Sequence, residues 1–504
     1  MKLALWAYQA PAHVGVTKAA ASLSKTHVVL RAPKGDGYAT IMLAMFERLG
    51  VTPPLSIAAL TEMTLAGAPA DLPVLLQEVD RRAEPELILV TRSATAMVLQ
   101  EPLDGEIAMM PRGTLRAEVL LGDAHPVRDD ETSAFATTLR QLVAHFATDG
   151  TRTARPSVNI VGPSLLGFHD HSNVESLRRI FATLDIDVNA VVPLGASPDD
   201  LRGLGRAWAN VATARENAQS TLDLLRERFG TPYVDALPYG EAGTTRFLRE
   251  LCAILEHGVE RIPLAAREAR LLWYARTVDA HALSHKRIAV FGTPTTAAGI
   301  ARTLREELDM QVDFVGTYVT GWGDWLRERT ADLTDRCLVT DDYREVARAI
   351  DDTRPDIVFG SQMERHSASA LGVPCAVVSP PAHILNFPLG YAPFIGYAGA
   401  NHLGDLVNQT QVLGLEHHLI ETFGPRRQGR FADATPEPDD APAMPAGSED
   451  GALPWDDAAL KLLGRVPFFV RKKARGNIEK YARERAIATI DEATVVRARE
   501  HVGG

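Results

Sequence analysis

Three stretches of this 504-residue chain repeat one pattern, in which a short β-branched run leads through small polar residues into an amphipathic helix. The pattern is clearest in VNIVGPSLLGFHDHSNVESLRRIFATLDIDVNAVVPLG and in KRIAVFGTPTTAAGIARTLREELDMQVDFVGTYV, and DIVFGSQMERHSASALGVPCAVVSPP continues it. The small polar residues can cap the helix that follows them. Strands that alternate with crossover helices form parallel sheets, so the chain is predicted to have an α/β fold with ligands beyond the carboxyl ends of its strands.

The length of the chain predicts several domains rather than one. Residues 430–457 contain five prolines and eight carboxylates with few large apolar residues, which predicts a disordered acidic linker. We therefore expect an N-terminal α/β domain (1–155), a second α/β domain (156–284) with a long helical region (198–283), a third α/β domain (285–429), the linker (430–457) and a small helical module (458–504).

The last module is strongly basic. From Arg465 to Arg485 it carries eight Arg or Lys residues against two Glu residues. A solvated helix face is the ordinary interpretation of such a charge run. A tethered lid or docking element is the functional alternative.

Several classes of function are excluded by composition. The net charge of −11 argues against a nucleic-acid-binding protein. No glycine-rich GxGxxG turn follows a strand, and no phosphate-binding loop of the Gly-Lys-Ser or Gly-Lys-Thr type occurs, so the chain is not expected to bind NAD in the usual way or to hydrolyse ATP itself. No run of 18 apolar residues exists, which predicts no transmembrane segment. The opening MKLALWAYQAPAHVG is expected to form a first strand and a turn rather than a signal peptide.

The three cysteines, Cys252, Cys337 and Cys375, lie far apart and form no CxxC pair. A disulfide framework is therefore not expected, and the compartment is predicted to be reducing. One local motif in this chain cannot supply the four thiolates that usually hold an iron–sulfur cluster. Cys252 lies in the helical run FLRELCAILEHG and Cys375 in the strand-like VPCAVVS, where core packing is expected.

A lone carboxylate, Asp36, stands between two glycines in RAPKGDGYATIML, after a β-like run and before a helical one. Glycine supplies backbone freedom and aspartate bonds its own backbone, so on its own this sequence predicts only a turn.

An aromatic-rich segment, residues 379–406, contains Pro380, Pro381, Pro388 and Pro393 together with several glycines. This composition predicts an ordered loop rather than a regular helix or a central strand. The aromatic side chains could form an apolar wall for a large flat ligand, or they could pack against the core of the domain.

These stretches together resemble the B subunits of light-independent protochlorophyllide reductases, a nitrogenase-like family. The resemblance covers nearly the whole chain and rests on MKLALWAYQAPAHVG, APKGDGYA, IVGPSLLGFHDHSNVESLRRIF, MERHSASALGVPCAVVSPPAHILNFPLGYAPFIGYAGAN and VPFFVRKKARGNIEKYA. It implies three Rossmann-like parallel-sheet domains of the nitrogenase component 1 type, followed by a small C-terminal helical module. It also implies a bacterial cytoplasmic location.

The resemblance implies a heterotetramer of two B and two N subunits, with one [4Fe–4S] cluster at each B–N interface. Each N subunit supplies three cysteines and each B subunit one aspartate, and Asp36 stands in the motif of that aspartate. A hard, anionic oxygen ligand is expected to favour the oxidised cluster and so to lower its potential. The flanking glycines allow the backbone to bring a short side chain up to the cluster.

The implied reaction is reduction of the C17=C18 bond in ring D of protochlorophyllide, giving chlorophyllide a in (bacterio)chlorophyll biosynthesis, with electrons from the ATP-hydrolysing L subunit. Asp279, in WYARTVDAHALSHK, matches the family's proton-donor position. Burial beside a porphyrin would raise the pKa of such a carboxyl and keep its proton available. His383 and His402 are secondary polar candidates beside the pigment, and Gly414 and Leu415 match a substrate contact.

The chain departs from the family pattern at Ser93, Ala94 and Thr95, where members of the family carry a cysteine-containing motif. That cysteine is not an expected cluster ligand, so cluster binding remains the expectation. Two alternatives are a subunit of the related chlorophyllide reductase and a non-catalytic scaffold like the nitrogenase cofactor-assembly proteins. The Gly-Asp-Gly loop and the basic module argue against the first, and the presence of both Asp36 and Asp279 favours an enzyme over the second.

Overall fold

The structure is a computed structural model of the chain, and it describes residues 10–37, 53–62, 72–99, 103–111, 113–277, 279–382, 390–411, 453–464, 468–485 and 487–502. The chain divides into two compact units, Met1–Gly424 and Pro425–Gly504. The predicted opening strand falls outside the described residues, as does most of the predicted linker. Within the described residues, no helix has the length and apolar character needed to cross a membrane.

Four parallel strands form the first sheet, in the order β2-β1-β3-β4. They are β1 (Thr26–Pro33), β2 (Leu55–Leu60), β3 (Leu87–Arg92) and β4 (Glu118–Leu121), and the helices of this part are α1 (Ala12–Ala20), α2 (Leu72–Ala83), α3 (Ala94–Val98), α4 (Leu103–Ala108) and α5 (Glu131–Phe146). The central strands β1 and β3 are buried along most of their length, which explains their continuous apolar runs. Helix α1 lies very close to α5, because a Cβ on Gly15 would be 2.0 Å from the carbonyl oxygen of Glu131.

Three parallel strands form the second sheet, in the order β6-β5-β7. They are β5 (Ser157–Val161), β6 (Asp187–Val192) and β7 (Ala209–Ala212), with helices α6 (Asp170–Thr183), α7 (Pro198–Arg202), α8 (Arg215–Phe229), α9 (Gly240–Leu255), α10 (Ile262–Ala265) and α11 (Leu271–Tyr274). Short 3₁₀ turns occur at Leu204–Arg206, Val259–Arg261, Ala266–Glu268 and Asp279–Ala282.

Five parallel strands form the third sheet, in the order β10-β9-β8-β11-β12. They are β8 (Arg287–Phe291), β9 (Gln311–Thr317), β10 (Cys337–Val339), β11 (Ile357–Gly360) and β12 (Cys375–Val377), with helices α12 (Pro294–Leu308), α13 (Gly323–Thr330), α14 (Tyr343–Thr353), α15 (Gln362–Ala370) and α16 (Gly396–Gln411) and a 3₁₀ turn at Thr320–Trp322. The prediction of an α/β protein with several parallel sheets is confirmed. The boundaries placed between the three α/β domains remain predictions.

Two details of the sequence-based prediction are wrong. The region 198–283 is predicted to be helical, but it contains strand β7, which is almost wholly buried and therefore lacks a polar–apolar alternation. The segment 379–406 is predicted to be a loop, but its second half begins helix α16 at Gly396. No proline follows Pro393 in this segment, and the glycines within α16 allow close packing: a Cβ on Gly399 would lie 2.4 Å from the backbone of Phe394.

The second unit contains a small helical core of its own. Helices α17 (Asp457–Gly464), α18 (Phe468–Glu484) and α19 (Glu492–Val502) enclose the buried side chains of Ala459, Leu463, Ile478, Ala482, Ile490 and Ala498. Residues just before α17 belong to this core, since Trp455 forms a β-bridge with Ile490 and its indole Nε1 donates to Glu479 Oε1 at 3.3 Å.

Candidate functional site

Asp36 lies in a turn directly beyond the carboxyl end of β1, a central strand of the first sheet. Its backbone N–H donates to the carbonyl of Pro33 at 3.1 Å, which closes the turn. The residue is half-buried, and a Cβ on the neighbouring Gly35 would meet no atom of the described residues within 4 Å. The turn therefore places a short carboxylate at the carboxyl end of a strand, which is where ligands of parallel sheets lie.

Gly37 has a different role in the same turn. A Cβ at this position would lie 2.0 Å from Cδ1 of Ile57, a residue of the neighbouring strand β2. Glycine is needed here for close packing of the loop on the sheet, whereas a Cβ on Gly35 would contact no atom of the described residues.

A second strand end lies next to this loop. Ser93 follows β3, is fully buried, and donates its backbone N–H to the carbonyl of Arg31 in β1 at 3.0 Å. Its hydroxyl caps α3 by accepting the N–H of Ala96 at 3.3 Å. The position where the family carries a cysteine-containing motif thus holds a helix cap in this chain. In β1, which leads into the loop, the fully buried guanidinium of Arg31 lies 3.9 Å from the Glu106 carboxylate.

His13 is a neighbour of Asp36 that the sequence analysis did not identify. It lies on α1, its side chain is buried, and its Nε2 is 3.1 Å from the carbonyl oxygen of Asp36. Its only sequence signal is its place in the opening stretch QAPAHVG, which also resembles the family.

Asp36 can contribute one ligand to an iron–sulfur cluster, but the described residues supply no complete ligand set. Within the described parts of the chain, no three His, Cys, Asp or Glu side chains are grouped so as to hold a metal ion. Asp36 offers one hard oxygen ligand, and a four-coordinate iron–sulfur site built on it needs further ligands from elsewhere. With such ligands supplied, Asp36 would hold one iron of the cluster.

The cysteines behave as packing residues. Cys252 lies in the core on α9, and burial raises the pKa of its thiol to about 11. Burial also raises the pKa of the Cys375 thiol on β12 and of the Cys337 thiol on β10. Protonated thiols at neutral pH are poor metal ligands, in agreement with the predicted core role of Cys252 and Cys375.

Asp279 begins the 3₁₀ turn Asp279–Ala282, and only its backbone is described. The segment that leads to it is fastened to helix α16. Asn401 on α16 accepts the backbone N–H of Arg270 at 2.7 Å and donates to the carbonyl of Glu268 at 2.8 Å. A cavity of about 170 Å³ lies between this segment and α16, beside the exposed Trp273. The structure thus places residues 268–274, which precede Asp279 in the chain, next to the helix that carries His402.

His402 belongs to an aromatic cluster with His169 and Phe394, at ring distances of 6.1 and 5.2 Å. Its Nε2 atom is buried and has no hydrogen-bond partner among the described residues. Burial lowers the pKa of His402, although the charge of Asp405 partly opposes this effect. The imidazole is therefore held neutral, with one buried ring nitrogen available to a further group.

Part of the aromatic segment packs against the core, which is one of the two roles that the sequence left open. Phe394 and Tyr397 are buried in the core, and the Tyr397 hydroxyl is 3.0 Å from Thr245 Oγ1. Tyr391 is exposed and stacks with the Arg179 guanidinium, 4.2 Å from the ring centre. His383, Gly414 and Leu415 lie outside the described residues.

A cleft of about 160 Å³ lies at the carboxyl ends of strands of the second and third sheets. The described residues that line it include carboxylates, hydroxyls and the ammonium of Lys18, but neither cysteine nor histidine. These polar groups bond one another: Lys18 pairs with Glu131, and Asp170 accepts the N–H of Ser164 at 2.8 Å. Each of these two pairs lies within one α/β part of the chain, but Glu216, which also lines the cleft, makes an interdomain contact.

One such contact joins the second sheet to the third. Glu216, in the first turn of α8, accepts both the hydroxyl and the backbone N–H of Thr295 in the first turn of α12. The Thr295 hydroxyl in turn accepts the backbone N–H of Arg215 at 2.8 Å. Burial raises the pKa of Glu216, and the hydrogen bonds from Thr295 and Thr293 oppose this effect. Each helix thus caps the other.

Comparison with known proteins shows the family to which this chain is similar. Residues 11–411 match the family described as nitrogenase component 1 type oxidoreductase, and residues 455–499 match the family described as proto-chlorophyllide reductase 57 kD subunit. The B subunit of the light-independent protochlorophyllide reductase of Heliobacterium modesticaldum is 40% identical over 517 residues, covering 100% of this chain and 99% of the relative. The protein of the same name from Chlorobium phaeobacteroides is 38% identical over 535 residues, covering 100% of each.

The fold is similar to that of a solved nitrogenase component. The structure of nitrogenase Cp1 at pH 6.5 superposes with a TM-score of 0.69 at 16% sequence identity, covering 82% of this chain and 94% of that one. The predicted nitrogenase component 1-like architecture is confirmed. The chain therefore belongs to the family of light-independent protochlorophyllide reductase B subunits, within the nitrogenase component 1 type oxidoreductases.

Proposed function

We propose that this protein is the B subunit of a light-independent protochlorophyllide reductase, which reduces the C17=C18 bond of ring D in protochlorophyllide. The observation that carries the proposal is similarity over the whole length, including the C-terminal residues 455–499 that match a protochlorophyllide reductase family model. Nitrogenase component 1 similarity alone, which covers residues 11–411, would leave the substrate open.

The proposed assembly is a heterotetramer of two B and two N subunits, with a [4Fe–4S] cluster at each B–N interface. Asp36 is the proposed ligand from this chain, supported by its place on a turn at the carboxyl end of a strand. The cluster, when bound, supplies electrons one at a time. The L subunit, a transient partner, is the proposed ATP-dependent electron donor.

Two electrons and two protons convert the C17=C18 double bond to a single bond, and each carbon gains one hydrogen. Asp279 is the proposed donor of one proton. Its support is the family motif, together with the attachment of the preceding residues Glu268 and Arg270 to the helix that carries His402. His402 is the proposed polar neighbour of the pigment because its neutral ring keeps a buried nitrogen free of partners within the described residues. His383, Gly414 and Leu415 are proposed pigment contacts on the motif alone.

The test is anaerobic co-expression with the N and L subunits, followed by a dark assay with protochlorophyllide, MgATP and a reductant. We expect chlorophyllide to form, and we expect no product when the L subunit or ATP is omitted. Pigment binding without turnover would support the scaffold alternative. Turnover of chlorophyllide in place of protochlorophyllide would support the chlorophyllide reductase alternative. Either result would contradict the proposal.

A further inference from the structure

The side chain of His13, on helix α1, contacts the loop that carries Asp36. His13 Nε2 lies 3.1 Å from the carbonyl oxygen of Asp36, across 23 residues of sequence. His13 is only 4% exposed, so water does not compete for this hydrogen bond.

The carbonyl of Asp36 determines which ring nitrogen of His13 carries a hydrogen. A carbonyl oxygen can only accept, so Nε2 must carry the hydrogen and donate it. Nδ1 is buried and has no partner among the described residues, so the bond to Asp36 is the hydrogen bond that orients the ring.

The helix that carries His13 is itself firmly held. Lys18 of α1 pairs with Glu131 of α5, and the other oxygen of that carboxylate accepts the N–H of Ala10 at 3.0 Å. The close approach at Gly15 leaves no room for α1 to shift toward α5. His13 therefore extends from a rigid helix to a glycine-flanked loop.

Three contacts within the described residues involve the loop. The bond from Asp36 N–H to Pro33 closes the turn, and Gly37 packs it against Ile57 of β2. Neither of these contacts holds the carbonyl of Asp36, whereas the hydrogen bond from His13 does.

We propose that His13 is the positioning residue for Asp36, holding its main chain so that the carboxylate projects toward the iron–sulfur cluster at the subunit interface. This inference rests on the proposed role of Asp36. It assigns to α1 the task of setting the distance between the oxygen ligand and the iron it binds.

The test compares three variants in the B–N complex. His13→Phe removes the donor at similar volume, His13→Gln restores an N–H donor, and His27→Phe removes a half-buried imidazole whose Nε2 is 2.9 Å from Ser56 Oγ on the same sheet. Two readouts are used: the EPR spectrum and midpoint potential of the reduced cluster, and hydrogen exchange of the peptide covering residues 33–37. Exchange is measured both as purified and after the cluster has been removed with a chelator.

We expect His13→Phe to speed exchange at residues 33–37 about two- to tenfold, as for the loss of one hydrogen bond, in both preparations. It should also change the EPR line shape and potential, while His13→Gln restores both readouts and His27→Phe leaves them unchanged. Wild-type exchange and EPR in His13→Phe would overturn the proposal, as would equal effects of His27→Phe or failure of His13→Gln to restore either readout. Hydrogen exchange in the cluster-free complex tests whether His13 holds the loop, even if Asp36 proves not to be a cluster ligand.

Discussion

At the scale of single residues, the candidate site is defined more by backbone than by side-chain contacts. The turn that holds Asp36 is closed by its own N–H to Pro33 and fixed by His13 at its carbonyl. Both bonds use main-chain atoms, which leaves the carboxylate available for an external partner. An ordinary Asx turn would instead use the side-chain oxygen locally.

The first prediction concerns Asp36. Asp36→Ala should leave the fold intact, since its main-chain bonds remain, but the B–N complex should lose or alter its cluster. Asp36→Cys should keep a cluster at a raised potential, because a soft thiolate replaces a hard oxygen. Iron content and the reduced-state EPR spectrum measure both effects. Lys34→Ala, at an exposed position in the same turn, is the control.

An unchanged iron content and EPR spectrum in Asp36→Ala would show that the ligand assignment is wrong. A loss of iron in Lys34→Ala as well would show that the turn, rather than the carboxylate, is what the cluster needs.

The second prediction concerns Asp279. Asp279→Ala should still bind pigment and accept electrons, but turnover should fall about 10²–10⁴-fold, the usual contribution of a general acid. His281→Ala, at an exposed position in the same 3₁₀ turn, should keep wild-type turnover. Dark turnover and pigment binding are measured on the same preparations. Wild-type turnover in Asp279→Ala would exclude its role as proton donor.

Some contacts could not be predicted from the sequence because the residues that make them lie far apart in the chain. His13 meets Asp36 across 23 residues, and Glu216 meets Thr295 across 79. The hydrophobic pattern of one strand or helix does not show which distant residue a side chain will contact. Asp36, by contrast, could be found because the Gly-Asp-Gly turn, the preceding strand and the resemblance all fall within one short stretch.

At the scale of elements, strands and helices with a clear period were predictable, and exceptions have physical causes. Strand β7 is short and buried, so it shows neither alternation nor a helical stripe. Helix α16 was not predicted because its glycines are typical of loops. In the structure, Gly399 and Gly404 allow close contacts with Phe394 and Leu271. Composition cannot separate a glycine used for flexibility from a glycine used for packing.

One helix terminus gives a pH-dependent prediction. Glu307 on α12 accepts the N–H groups of Glu241 and Ala242 at the start of α9, each at 2.9 Å. Burial raises the pKa of Glu307 to about 7, although these two backbone bonds oppose the shift. The folded state therefore binds this proton more tightly than the unfolded state, and the group's contribution to stability is lost as pH rises from about 4.5 to about 7.

Glu307→Gln removes this titration. The stability of the variant relative to the wild type should therefore rise between pH 5 and pH 8, by on the order of 1–3 kcal/mol. Thermal melting midpoints at both pH values measure the difference. Glu306→Gln, which loses a carboxylate one residue away on the same helix, is the control. A difference that stays constant or falls with pH would show that the two amides keep Glu307 ionised.

At the scale of the whole molecule, the two units differ in how they are built. The first contains three parallel sheets whose helices cap one another through pairs such as Glu216 and Thr295. The second has a small core of six buried residues and a basic helix, α18. The two units also match different family models, which is the feature that separates a protochlorophyllide reductase subunit from nitrogenase component 1 in general.

The last prediction concerns the second unit. The composition of residues 430–457 predicts a tether that reaches roughly 30 Å as a flexible chain, enough to carry the helical module across a subunit boundary. The module combines the apolar stretch VPFFV with a run of basic residues, which suits covering a hydrophobic pigment and meeting its propionate or an acidic protein surface. Truncation after residue 429 should therefore give a soluble B–N complex that keeps its cluster but binds pigment or accepts electrons from the L subunit poorly.

A matched variant separates the two properties of the module. Lys480→Glu with Arg483→Glu reverses two exposed charges on α18 and leaves its apolar core in place. If the basic face docks the module, this variant should lose turnover, and the size of the loss should depend on the salt concentration. Truncation should lower turnover at every salt concentration. Normal turnover after truncation would show that the module is dispensable. Loss of soluble protein after truncation would show instead that the part with the three parallel sheets needs the module to fold, because a tethered lid can be removed without exposing a core.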